Sequence, residues 1–178
     1  MGFQINYLLV DAPLLPLCDL LGLEDLGFRA QRADVRGAVL PSGFCLITDS
    51  VYSTLIHSGR CKQISMSYPV IYGHVHEGVS SSSAEKWENG EKIWQVEHDA
   101  CIHGPRHLEH SGLLPDMFEE VKNKFFAEQD EEDKLEDDGC DVIFEIPVEI
   151  IDRLTGYRYC KYMPDEMFHS LVRRPLPG

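Results

Sequence analysis

Apolar and polar residues alternate from position 3 to position 10. Phe3, Ile5, Tyr7 and Leu9 take one face and Gln4 and Asn6 the other, which is the period of a β-strand. Pro13 and Pro16 end that run, and a short helix or turn is expected over residues 17–21 before Gly22 and Gly27 break the pattern. Residues 36–40 and 44–48 read as extended and flank Pro41-Ser42-Gly43, predicting a hairpin with a short loop. Asp49 or Ser50 is placed to cap a helix that shows Val51, Tyr52, Leu55 and Ile56 on one side and stops at Gly59. Residues 61–67 and 70–77 read as extended.

Asn89-Gly90 is the sharpest local signal, because a two-residue hairpin turn needs φ > 0 at both positions and these residues tolerate it best. The turn sets a register in which Trp87 opposes Lys92, Glu85 opposes Trp94, Ser83 opposes Val96 and Ser81 opposes His98. Trp87, Trp94 and Val96 then share a core-facing side, with His98 at its end.

Beyond His110 the period changes. Leu114, Phe118, Val121 and Phe125 recur at helical spacing, so an amphipathic helix is expected from Pro115 to about residue 129. Asp116, Glu119 and Glu120 near its start complement the helix dipole. An acidic loop follows over residues 130–139. Val142, Phe144 and Ile146 alternate as a strand, and Pro147 opens a second helix that Gly156 closes. Strands early and helices late, without βαβ alternation, predict an α+β fold: a largely antiparallel sheet with two main helices in the C-terminal third, both on one side. An apolar fraction of 43% over 178 residues suits one domain, placed at residues 1–170, with a flexible tail at 171–178.

Charge sharpens this picture. The net charge is −14, and between Asp116 and Asp152 fifteen carboxylates face only Lys122, Lys124 and Lys134. Such a field repels phosphate backbones, so direct nucleic-acid binding is not expected. It attracts a basic partner, or more plainly keeps the protein soluble. No Lys or Arg precedes the first apolar run, and no run approaches the ~18 apolar residues of a membrane span. The six cysteines are scattered without a C-x-x-C pair. Reduced, mostly buried thiols and a cytoplasmic location are expected, with no membrane association.

The chemistry-bearing residues concentrate between His74 and His110, which hold six of the eight histidines. His74 and His76 would share one strand face, a spacing that lets both reach one ion, with His98 as a third ligand and Cys101 and His103 nearby. A transition metal such as zinc held there would turn a bound water into a nucleophile. Glu85, placed opposite Trp94, would have its pKa raised by desolvation and serve as acid or base. The plainer readings are sheet-surface positions for His74 and His76, a hydrogen-bonded core-margin His98, and exposed loop positions for His103, His107 and His110. Cys101 between His98 and His103 is a candidate thiolate or an inert cysteine. Phe126, off the main helical stripe, is core or an exposed partner anchor. H-E-x-x-H, G-x-S-x-G and phosphate-binding glycine loops are absent.

Two readings follow. The first is a non-enzymatic, cofactor-free cytoplasmic binding protein of inhibitor or immunity type. Its acidic face would consist of Glu119, Glu120, Glu128, Asp130, Glu131, Glu132, Asp133, Glu136, Asp137 and Asp138, set against a basic protein. The second is a hydrolase centred on His74, His76, His98 and Glu85, with or without zinc.

Overall fold

The structure, a computed structural model, describes residues 2–27, 34–50, 55–134 and 140–174. Along the chain run β1 (Gln4–Val10), α1 (Leu14–Leu21), β2 (Leu23–Asp25), β3 (Val35–Val39), β4 (Cys45–Ser50) and α2 (Ser58–Ser65). They are followed by β5 (Val70–His76), β6 (Ser81–Glu88), β7 (Glu91–Asp99), α3 (Ala100–His103) and β8 (Glu109–Gly112). The last elements are α4 (Phe118–Glu132), α5 (Glu145–Thr155) and β9 (His169–Arg173). Among the described residues the strands form one nine-stranded sheet ordered β2-β9-β3-β4-β1-β5-β6-β7-β8, with every neighbour antiparallel. The fold is α+β, with a large antiparallel sheet, as the order of strands and helices predicts. No helix among these residues is long and apolar enough to cross a membrane.

Strand alternation gives the sheet two buried faces. Tyr7, Leu9, Leu46, Val75, Ala84 and Val96 pack with Phe118, Val121 and Phe125 of α4 and Ile146 and Ile150 of α5. Leu8, Val10, Ile47 and Val70 pack on the other face with Leu17 and Leu21 of α1 and Cys61 and Ile64 of α2. Helices therefore cover both sides, whereas the sequence reading placed them on one. The difference lies in α1 and α2, which are only eight residues each and precede the C-terminal third.

Helix α1 starts at Leu14 and includes Pro16, because a first-turn residue has no intrahelical N–H bond to lose. Gly59 lies inside the first turn of α2 and does not stop a helix, and residues 61–65 are helical where an extended run was expected. Asp49 belongs to β4, and its Oδ2 accepts the N–H groups of Leu55 and Ile56 at 3.1 Å each. Val51 and Tyr52 lie outside the described residues. Residues 142–146 form helical turns in place of the expected strand: Asp141 Oδ1 accepts the Phe144 N–H, and the Val142 and Ile143 carbonyls accept the N–H groups of Glu145 and Ile146. Residues 130–132, expected in a loop, continue α4. Strand β9 takes residues 171–173 out of the expected tail and pairs them with β2 and β3.

The Asn89-Gly90 turn forms as expected, with φ 51° and 78°. Trp87 opposes Lys92, but Lys86 then pairs with Trp94, so Ile93 is an extra residue in β7 and the register slips by one. Beyond this bulge Ala84, not Ser83, opposes Val96, and Ser82, not Ser81, opposes His98. Trp87 consequently packs on the α1–α2 side and Trp94 on the α4–α5 side. At the sheet centre Gly73 leaves room for the Tyr7 ring, since a Cβ there would stand 2.1 Å from Tyr7 Cζ.

Candidate functional site

Strand parity separates the histidines that lie close in sequence. His98 pairs with Ser82, which pairs with Val75, so His98 shares the face of Val75. His74 and His76 flank Val75 and therefore point to the opposite face. The proposed His74, His76 and His98 ligand set does not converge, and among the described residues no group of three His, Cys, Asp or Glu side chains is arranged to hold a metal ion. His74 Nδ1 instead lies 2.8 Å from Asn6 Oδ1, which also accepts the Tyr72 hydroxyl at 3.0 Å. Burial, and then the nearby His76, push its pKa down.

Glu85 opposes Gln95, not Trp94, and faces α2. Its carboxylate accepts from Ser58 Oγ at 3.1 Å, Trp87 Nε1 at 2.7 Å and Lys92 Nζ at 2.9 Å. It joins the start of α2 to the hairpin.

His98 is fully buried. Its Nδ1 lies 2.6 Å from the His107 carbonyl and its Nε2 2.8 Å from Asp141 Oδ2, an oxygen that also accepts the Ser80 hydroxyl. Both ring nitrogens meet acceptors, an arrangement that favours the doubly protonated imidazolium. Burial opposes that charge, but the Asp141 hydrogen bond and the His107 carbonyl outweigh it and hold the His98 pKa above its ordinary value. For Asp141 burial pushes up, and the bonds from His98 and Ser80 win and push the pKa down. An imidazolium with both protons engaged has no lone pair to activate Ser80 or Cys101, so this cluster works as a clamp between β7 and the start of α5. Cys101 is exposed on α3. His103 stacks on His107 at 4.5 Å, and His107 Nδ1 accepts the Asp99 N–H.

The acidic residues singled out by the sequence lie on α4 and just after it. Helix α4 carries six carboxylates against Lys122 and Lys124. Many are paired locally: Glu120 with Arg153 at 2.8 Å, Asp130 and Asp133 with Arg106 at 2.7 and 2.6 Å, and Glu131 with Lys134 at 2.6 Å. Glu119 approaches Lys122 at 3.4 Å and Glu128 approaches Lys124 at 3.9 Å, while Glu132 accepts the Cys140 N–H. Exposed pairs of this kind are largely screened by solvent and leave the helix net negative. Glu136, Asp137 and Asp138 lie outside the described residues. Phe126 packs against the core with the Arg106 guanidinium over its ring, so it is not an exposed anchor.

At the N-terminal end of α4 lies a hollow of about 700 Å³ floored by Ile71, Ile93 and Trp94 and walled by Phe44, Leu114 and Met117. Asp11, Glu88 and Asp116 line it with Lys86, whose ammonium is held by Glu88 at 2.7 Å. Leu113 adjoins it and is 80% exposed. Beside it β8 ends the sheet with all four residues exposed. The Ile93 carbonyl, at the bulge, accepts the Leu113 N–H at 2.9 Å and ties the segment after β8 to β7. Sequence reasoning missed the hollow, and its only linear trace is the Leu113-Leu114-Pro115 step before the helix. No protein-family model matches the chain, and neither a curated protein nor a solved structure matches it.

Proposed function

We propose that the protein is a binding module of inhibitor or immunity type that takes a basic, extended segment of a cytoplasmic partner protein at the foot of α4. One observation carries the reading: an apolar hollow with a net acidic rim sits at the N-terminal end of a helix with six carboxylates and two lysines. Interfaces of this kind combine an apolar centre that receives an anchoring side chain with a charged periphery that steers the approach. The β8 edge offers backbone groups to an extended chain laid along it. No catalytic step is needed, since covering the partner is itself the activity.

Selection from a displayed random-peptide library on the full chain tests this. Enriched sequences are expected to alternate Lys or Arg with a large apolar residue, and their binding is expected to weaken steeply as salt rises. Enrichment without basic residues, or affinity indifferent to salt, overturns the proposal.

A further inference from the structure

The connection between β7 and β8 uses His107 twice. The His107 carbonyl lies 2.6 Å from His98 Nδ1, and the His107 ring Nδ1 accepts the Asp99 N–H at 2.9 Å. Asp99 ends β7 and caps α3, where its Oδ1 accepts the Ile102 N–H at 2.9 Å. Between them the chain turns back, with the Gly104 N–H on the Ala100 carbonyl and the His107 N–H on the Gly104 carbonyl. His107 therefore meets both the buried ring of His98 and the backbone of the last residue of β7.

The two rings have opposite proton requirements. His98 faces an acceptor at each nitrogen, the His107 carbonyl and Asp141 Oδ2, which favours a proton on both. A backbone N–H only donates, so His107 Nδ1 serves as an acceptor and this ring is in its neutral form. A second proton on His107 would turn that acceptor into a donor facing a donor. The Asp99 N–H would lose this partner, and the ring would be pushed away from it.

The charged and titratable groups around His107 come from five elements. From β7 it faces Asp99 and His98, the latter with ring centres 6.1 Å apart, and from α3 it faces the exposed His103, stacked at 4.5 Å. Asp141, before α5, is bonded to the other nitrogen of His98. Asp130 and Asp133 of α4 hold the neighbouring Arg106, and Glu109 of β8 pairs with Glu97 of β7. Like charges on the two stacked rings repel, so a proton on His103 opposes one on His107.

We infer that His107 is a proton-operated latch, whose neutral ring holds the turn over residues 99–108 shut and whose protonation opens it. Opening is confined to the turn, since His98 stays bonded to Asp141 through its other nitrogen. Imidazole changes charge between about pH 5 and 8, so mild acidification operates the device. The latch stands apart from the groove at the foot of α4, and neither reading depends on the other.

Amide hydrogen exchange on the full chain, stepped from about pH 8 to 5 and corrected for intrinsic rates, tests the inference. Nitrogen-15 shifts of the His107 ring are followed in the same samples. At the upper limit His107 is expected to carry its one proton on Nε2. As the second proton arrives, protection of the Asp99 amide is expected to fall at least about tenfold, the scale of one lost hydrogen bond. Protection of Val75, in the middle of the sheet, is expected to hold. His107→Asn sets a non-titrating amide oxygen near the place of Nδ1 and is expected to keep Asp99 protected throughout. His103→Gln, at an exposed position, is expected to move the opening to higher pH, and it carries the test if His107→Asn does not fold. A proton on Nδ1 in the neutral ring, Asp99 protection indifferent to His107 protonation, the same loss in His107→Asn, or an unmoved midpoint in His103→Gln overturns it.

Discussion

His98 Nε2 stands 2.8 Å from Asp141 Oδ2, and this contact ties the end of β7 to the turn that starts α5. Both partners are needed in their charged forms. The His98 pKa is raised above 6.5, so its contribution is complete below that value and is lost as pH climbs through the raised pKa. The Asp141 pKa is lowered below 3.8, so its contribution is complete above that value and is lost as pH falls through the lowered pKa. The clamp is therefore strongest between these limits. Asp141→Asn is expected to cost about 3 kcal/mol in that window, the scale for breaking a buried pair. Urea denaturation of both proteins is expected to show the gap narrowing as pH rises past the His98 pKa. A gap independent of pH would show that the pair is not ionised.

Gly73 is the point of closest approach beneath Tyr7. Gly73→Ala places a Cβ 2.1 Å from the ring carbon, and the ring is fully enclosed. The substitution is expected to cost about 3 kcal/mol, the upper range for overpacking. Adding Tyr7→Leu is expected to recover part of that loss, which a double-mutant cycle by chemical denaturation measures.

The thiols divide cleanly. Cys101, Cys140 and Cys160 are exposed, a correction to the expectation that most are buried, while Cys18, Cys45 and Cys61 are enclosed. Burial pushes the Cys18 thiol up to about 11 and those of Cys45 and Cys61 up to about 12. A thiol reagent on native protein is expected to titrate three groups quickly and the other three only on unfolding. Rapid labelling of all six in the native state would contradict this burial.

What the sequence revealed depended on whether the signal was local. Asn89-Gly90 dictates its own dihedrals, so the turn was legible, and Phe118, Val121 and Phe125 dictate a helix face. The bulge at Ile93 was not legible, because one inserted residue changes no local propensity and shows only in the pairing of β6 with β7. Val142, Phe144 and Ile146 alternate like a strand, but Ile143, Ile146 and Ile150 are fully buried, at helical spacing. For the candidate sites, the clustering of His74, His76 and His98 in sequence hid the parity that splits them. Asp141 is brought to His98 only by the fold.

The groove at the foot of α4 predicts an electrostatic signature. Asp116→Lys changes its rim without touching the core, and it is expected to slow association with selected basic peptides by about tenfold at low salt. Dissociation is expected to change less. Stopped-flow kinetics at two ionic strengths separates the rates, and an unchanged association rate would remove the rim from the binding surface.

Strand β9 has a consequence for how the molecule is made. It lies between β2 and β3, so Val35 and Arg36 find their outer neighbours, Leu171 and Ser170, only in the last of the described strands. During ribosomal synthesis the central hairpins can pair as they emerge, but β2 and the outer edge of β3 stay unsatisfied until residues 169–173 clear the exit tunnel. This end of the sheet is the last to close, and until it does β3 is an open edge available to other nascent chains.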